Sequence, residues 1–118
     1  MSIDSQSYSF SDLMEMFDGN IDNVKSTVMI FCSQMALDIQ NLKQHFLRKD
    51  FSSVKSFAHR MKPNLKMFHM TDLHQLVIDI EKTAIEGDQG LLGQQLEVFY
   101  DKAQSRCKLI LKESEKLV

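Results

Sequence analysis

Apolar residues recur along the chain at steps of three and four, the period of an amphipathic helix, and no stretch sustains the alternation of a half-buried strand. The pattern predicts five helices and no sheet. A short first helix fits Asp12 to Phe17, with Ser9 or Ser11 as N-cap and Gly19 and Asn20 as its stop. The second is long, its stripe running through Ile21, Val24, Val28, Phe31, Met35, Ile39, Leu42 and Phe46 to the basic pair Arg48 and Lys49. Asp50 then caps a third, striped by Phe51, Val54, Phe57, Ala58, Met61, Leu65 and Phe68. Thr71 is the expected cap of a fourth, with Leu73, Leu76, Val77, Ile80 and Ala84 turned inward. After the break at Gly87 to Gly90, a fifth carries Leu92, Leu96, Phe99, Ala103, Cys107, Ile110 and Leu117. Short connections between long helices predict an all-α fold, an antiparallel up-down four-helix bundle with a short extra N-terminal helix.

Composition narrows the reading. A chain of 118 residues is the size of one domain, taken here as residues 1–118, and four glycines with one proline disfavour turn-rich sandwiches and barrels. Net charge is -2 with the signs interspersed, unlike a nucleic-acid arm or a basic membrane tail. No apolar run is long enough to span a membrane and the first residues lack the features of a secretory leader, so a cytoplasmic, free-standing protein is expected. Cys32 and Cys107 lie inside helical patterns without metal-ligand spacing and read as buried free thiols. Gly87, Gly90 and Gly93 superficially resemble a phosphate loop, but no strand precedes them and no GK[ST] follows, which favours a loop with caps. Most of the eight methionines occupy stripe positions and read as core filler.

With no GxSxG, HExxH or cysteine-nucleophile signature, polar residues that break helical logic become informative. In the third helix, Lys55, His59, Lys62 and Lys66 follow at steps of four, three and four and share one face, with Arg60 at its flank. Like charges a turn apart are mutually unfavourable unless an anion joins them. The row is therefore either a solvated basic face or a site where an imidazole carries or contacts a phosphoryl group. Pro63 lies within the same helix, removing an amide donor and crowding the carbonyl of His59. The alternative is that the helix ends at Lys62 and restarts. Glu81, at the margin of the fourth helix's stripe, is placed to orient a neighbouring imidazole through a ring N–H. His59, His69 and His74 are spaced by ten and five, which puts no two on one helical face, so no metal site is expected.

The segment AHRMKPNLKMFHMTDL from Ala58 resembles the signature of histidine-containing phosphotransfer (HPt) domains: a histidine, a hydrophobic residue two positions on, then lysine-glycine and a second glycine six residues later. His59, Met61 and Lys62 match; Pro63 and His69 stand at the glycine positions. The order of helices is similar over nearly the whole chain, including a Leu…Leu…Ile-Glu pattern in the fourth. The resemblance implies a phosphocarrier rather than a kinase, with His59 as phosphoacceptor, Lys62 as the adjacent phosphate-binding lysine and Glu81 as hydrogen-bond partner of the imidazole. Lys66 joins Lys62 as a supporting residue on spacing alone. Lys55, Arg60 and Pro63 fall on the surface a partner would cover. The implied partners are response-regulator receiver domains and a hybrid sensor histidine kinase, with no nucleic acid or membrane and a monomeric state. No cofactor is implied, since magnesium is expected only in the receiver. A different class, a helical module that binds a partner through the basic face without phosphorylation, would keep its function in His59→Gln; a kinase dimerisation module would need a dimer seam or an ATP domain.

Overall fold

The computed structural model describes residues 8–117, and the leader reading of the first residues lies outside them. Five helices follow in order: α1 (Ser11–Met16), α2 (Ile21–Leu47), α3 (Phe51–Met67), α4 (Thr71–Glu86) and α5 (Gln89–Ser114). No strand occurs among the described residues. The main packing runs α2 against α3, α3 against α4, α4 against α5 and α5 back against α2, a ring with α1 set against α2. The core is what the stripes require: Val28, Phe31, Ile39, Val54, Met61, Leu65, Val77, Ile80, Leu96 and Phe99 are buried. Of the methionines, Met35, Met61 and Met70 are buried, whereas Met16 and Met29 lie exposed.

The joints depart from the sequence reading in instructive ways. Asn20, Asp50 and Asp88 cap α2, α3 and α5 by accepting from the backbone N–H of Asn23, Ser53 and Leu91. At α4, however, Met70 occupies the cap and Thr71 is already helical, because the Met70 side chain is fully buried and its burial outweighs a hydroxyl cap. Phe10 likewise precedes α1 without a side-chain cap; Ser9 accepts from the Ser11 N–H instead. Gly19 follows α1 in the left-handed region at φ 74°, and of Gly87, Gly90 and Gly93 only Gly87 is a helix stop, at φ 78°. Gly90 and Gly93 lie within α5, where a Cβ on Gly93 would come within 3.1 Å of the Phe46 ring, so the glycine lets α5 approach α2. Leu117 lies beyond the end of α5 yet still packs against the core. The helix α3 is continuous through Pro63, with no restart at Lys62.

Candidate functional site

The register of α3 sets the site. Ala58 and Met61 point into the core, so His59, a further 100° round, emerges beside α4, and Lys62 follows on the next turn of the same edge. On α4, Ile80 is buried and Glu81 comes out next to it, facing α3. Glu81 Oε2 lies 3.1 Å from His59 Nδ1, and Glu81 Oε1 lies 2.7 Å from Lys62 Nζ. Both carboxylate oxygens are thus engaged, in a clamp whose centre is the most shielded member: side-chain exposure is 14% for Glu81, 27% for Lys62 and 67% for His59. Burial pushes the Glu81 carboxyl up, but hydrogen bonds from Lys62 and His59, with their charges, outweigh it and hold the group below the usual carboxylate range.

An ionised carboxylate only accepts hydrogen bonds, so the proton of a neutral imidazole sits on Nδ1 and the lone pair on Nε2. That nitrogen has no hydrogen-bond partner among the described residues and belongs to a ring two-thirds exposed. The site therefore presents a nucleophilic nitrogen to solvent with its tautomer fixed from behind.

The other residues of the row separate. Lys55 and Lys66 are exposed on α3, one turn before and two turns after His59. Arg60 leans away, its guanidinium 5.0 Å from the centre of the Phe57 ring, and Pro63 is exposed one turn beyond His59. Lys62 is not the solvated lysine that spacing suggests: it reaches across to α4. A contact between helices leaves no trace in the periodicity of either one. His69 follows the end of α3 with φ 57° and pairs with Asp12 at 3.1 Å. Among the described residues, no group of three or more His, Cys, Asp or Glu side chains is placed to hold a metal ion.

No curated protein and no solved structure matches the chain significantly. Residues 26–114 do match the family model described as the Hpt domain, a span that contains His59, Lys62 and Glu81 and most of the helical ring. The chain belongs to the Hpt domain family, helical phosphotransfer modules of two-component signalling that interact with receiver domains.

Proposed function

We propose that this protein is a histidine phosphocarrier in a multistep phosphorelay, accepting a phosphoryl group on His59 from a receiver-domain aspartate and passing it to another receiver. The observation that carries the reading is the free, solvent-facing Nε2 of an imidazole whose Nδ1 is held by Glu81. In the forward step Nε2 attacks phosphorus, the N–P bond forms, and the acyl phosphate P–O bond breaks to release the aspartate carboxylate. The ring becomes cationic with Nδ1–H still donated to Glu81, and the carboxylate stabilises that charge as it develops. In the return step a carboxylate oxygen of the second receiver attacks phosphorus and the bonding pair returns to Nε2.

Lys62 has more than one ammonium proton, so it can keep its bond to Glu81 and also offer a donor to the phosphoryl oxygens. Lys66 and Lys55 add exposed positive charge on flexible stems, suited to a group that must be released again. Both oxygens of Glu81 are engaged by Lys62 and His59, and magnesium is assigned to the receiver. Connectors of three residues or fewer between the four long helices support the up-down antiparallel order, with α3 and α4 offering the His59 edge to receivers, including that of a hybrid sensor kinase. No described helix is long and apolar enough to cross a membrane; the carrier is assigned as monomeric and cytoplasmic.

Incubation with receivers phosphorylated by a labelled donor tests the reading. The expected product is labelled at His59, with a bond that is lost in acid and survives alkali. An acid-stable label, or one retained in His59→Gln, overturns the assignment. Undiminished function of His59→Gln would favour the partner-binding module instead.

A further inference from the structure

The chain's two cysteines, 75 positions apart, meet across the seam between α2 and α5, the side of the ring formed without α3. The Cys32 thiol donates to the Cys107 carbonyl oxygen, with Sγ 3.8 Å from it, which sets the two side chains beside each other. Small residues surround them, Ala36 one turn beyond Cys32 and Ala103 one turn before Cys107, which lets the two backbones approach. Both thiols are free, and both are half-buried rather than sealed in the core as their patterns suggest. They line an open cavity of about 140 Å³ with Gln40, Lys43 and Gln104 also on its wall, wide and polar enough to admit a small oxidant. The phosphotransfer reading uses neither sulfur.

We propose that Cys32 and Cys107 are a peroxide-reactive dithiol that closes to an intramolecular disulfide tying α2 to α5. The Cys107 thiolate attacks one oxygen of hydrogen peroxide, the O–O bond breaks, and the hydroxide released takes up a proton to leave as water. Cys107 is now a sulfenic acid. The Cys32 thiol loses its proton and attacks that sulfur, the S–O bond breaks, and a second water departs. Two thiols have lost two electrons and peroxide has gained them. Cys107 is assigned as the first to react: the neighbouring Cys32 side chain and the Arg106 charge favour its thiolate against the opposing effect of burial, and a serine hydroxyl at position 32 keeps a polar donor there. With the Cys32 sulfur already against the Cys107 backbone and both side chains on one cavity wall, side-chain rotation and a small approach of the helices bring the sulfurs to disulfide distance, about 2 Å.

The test is to treat the dilute full chain with hydrogen peroxide, block remaining thiols, and measure intact mass and peptides without reduction. The expected product has lost two hydrogens, takes up no blocking reagent, and yields one linked pair of peptides holding Cys32 and Cys107. Dimedone, which captures sulfenic acids, should label the wild-type chain weakly and Cys32→Ser strongly at Cys107, since the variant keeps the first thiol and lacks the second. Chains cross-linked to one another, thiols still free, sulfurs oxidised separately to sulfinic acid, or equal dimedone labelling in both proteins would each overturn the proposal. Circular dichroism of Cys32→Ser shows whether it retains its helices; if it does not, the wild-type mass and peptide result decides alone.

Discussion

A single carboxylate governs the chemistry available to His59. Glu81 receives Lys62 on one oxygen and the imidazole on the other, so its charge is held in place and the ring proton has one favoured nitrogen. In Glu81→Ala the nitrogen-15 spectrum of the neutral ring should move from a strong preference for Nδ1–H toward the ordinary mixture, and phosphotransfer should slow. An unchanged tautomer signature would remove the orienting role. Lys62→Ala separates charge neutralisation from folding: it removes a partly shielded ion pair, and its stability loss should stay near about 1 kcal/mol, the upper end for such pairs. Transfer rates should fall further than that loss explains, and an unchanged rate would make Lys62 a structural partner of Glu81 alone. The imidazole, the lysine and the glutamate were each visible in the sequence as candidates. Glu81 as partner of the imidazole came from the resemblance, but its second bond, to Lys62, was not legible, because the helical period reports which side of one helix is buried and nothing about which residue of the next helix stands opposite.

Two positions in α3 show how backbone chemistry shapes the element that holds the site. Pro63 donates no amide hydrogen, so the His59 carbonyl lacks its ordinary helical partner, yet Met61 and Leu65 are buried on either side and keep the helix continuous. Pro63 itself is exposed, so Pro63→Gly sacrifices no core contact; with interior costs of roughly 3 kcal/mol for proline and 1 for glycine, the variant should be more stable by about 2 kcal/mol. A lower melting temperature would show that the surrounding backbone is built around the proline. At the other end, His69 N–H donates to the Lys66 carbonyl and Met70 N–H to the Leu65 carbonyl, a Schellman turn in which His69 takes the left-handed position at φ 57°. Glycine is the natural residue there, which gives a physical reason for the second glycine of the HPt signature. The exposed pair with Asp12 offsets little. His69→Gly should therefore stabilise the chain by up to about 1 kcal/mol, read as a raised denaturation midpoint; a clear loss would give the His69 side chain a packing role. The five helices were legible from their apolar stripes, within a residue or so at most ends. The caps were less so: Met70 displaced Thr71 by burial, and Gly90 and Gly93 are helical because of what α5 packs against, a cause outside their own segment.

At the scale of the whole molecule, the ring of helices is closed by polar contacts as well as by the core, and one of them makes stability depend on pH. Asp72, in the first turn of α4, accepts two hydrogen bonds from Arg106 of α5, at 2.9 and 2.6 Å. The arginine side chain is largely buried, 11% exposed, while the aspartate remains 42% exposed. Hydrogen bonding from Arg106 holds the Asp72 carboxyl below its ordinary range, against the opposing effect of burial. A carboxyl whose folded-state pKa is depressed binds protons more readily in the unfolded chain, so it contributes stability above its unfolded pKa and loses it as pH falls through the folded value. Glu81 has the same sign. Asp72→Asn keeps the shape and removes the charge, weakening a charge-assisted contact between α4 and α5. At neutral pH the variant should be less stable by about 1 to 2 kcal/mol, in the range for hydrogen bonds to charged groups after allowance for solvent on the aspartate. On acidification below about pH 5 the gap should narrow, first because the unfolded wild-type chain takes up the proton, and it should close once the folded carboxyl, which titrates below its ordinary range, is protonated and resembles the amide. Urea unfolding of both proteins across that range measures it directly. A gap that is constant with pH would mean that Asp72 acts through packing or its place at the start of α4, and that its bond to Arg106 does not set the acid sensitivity of the bundle.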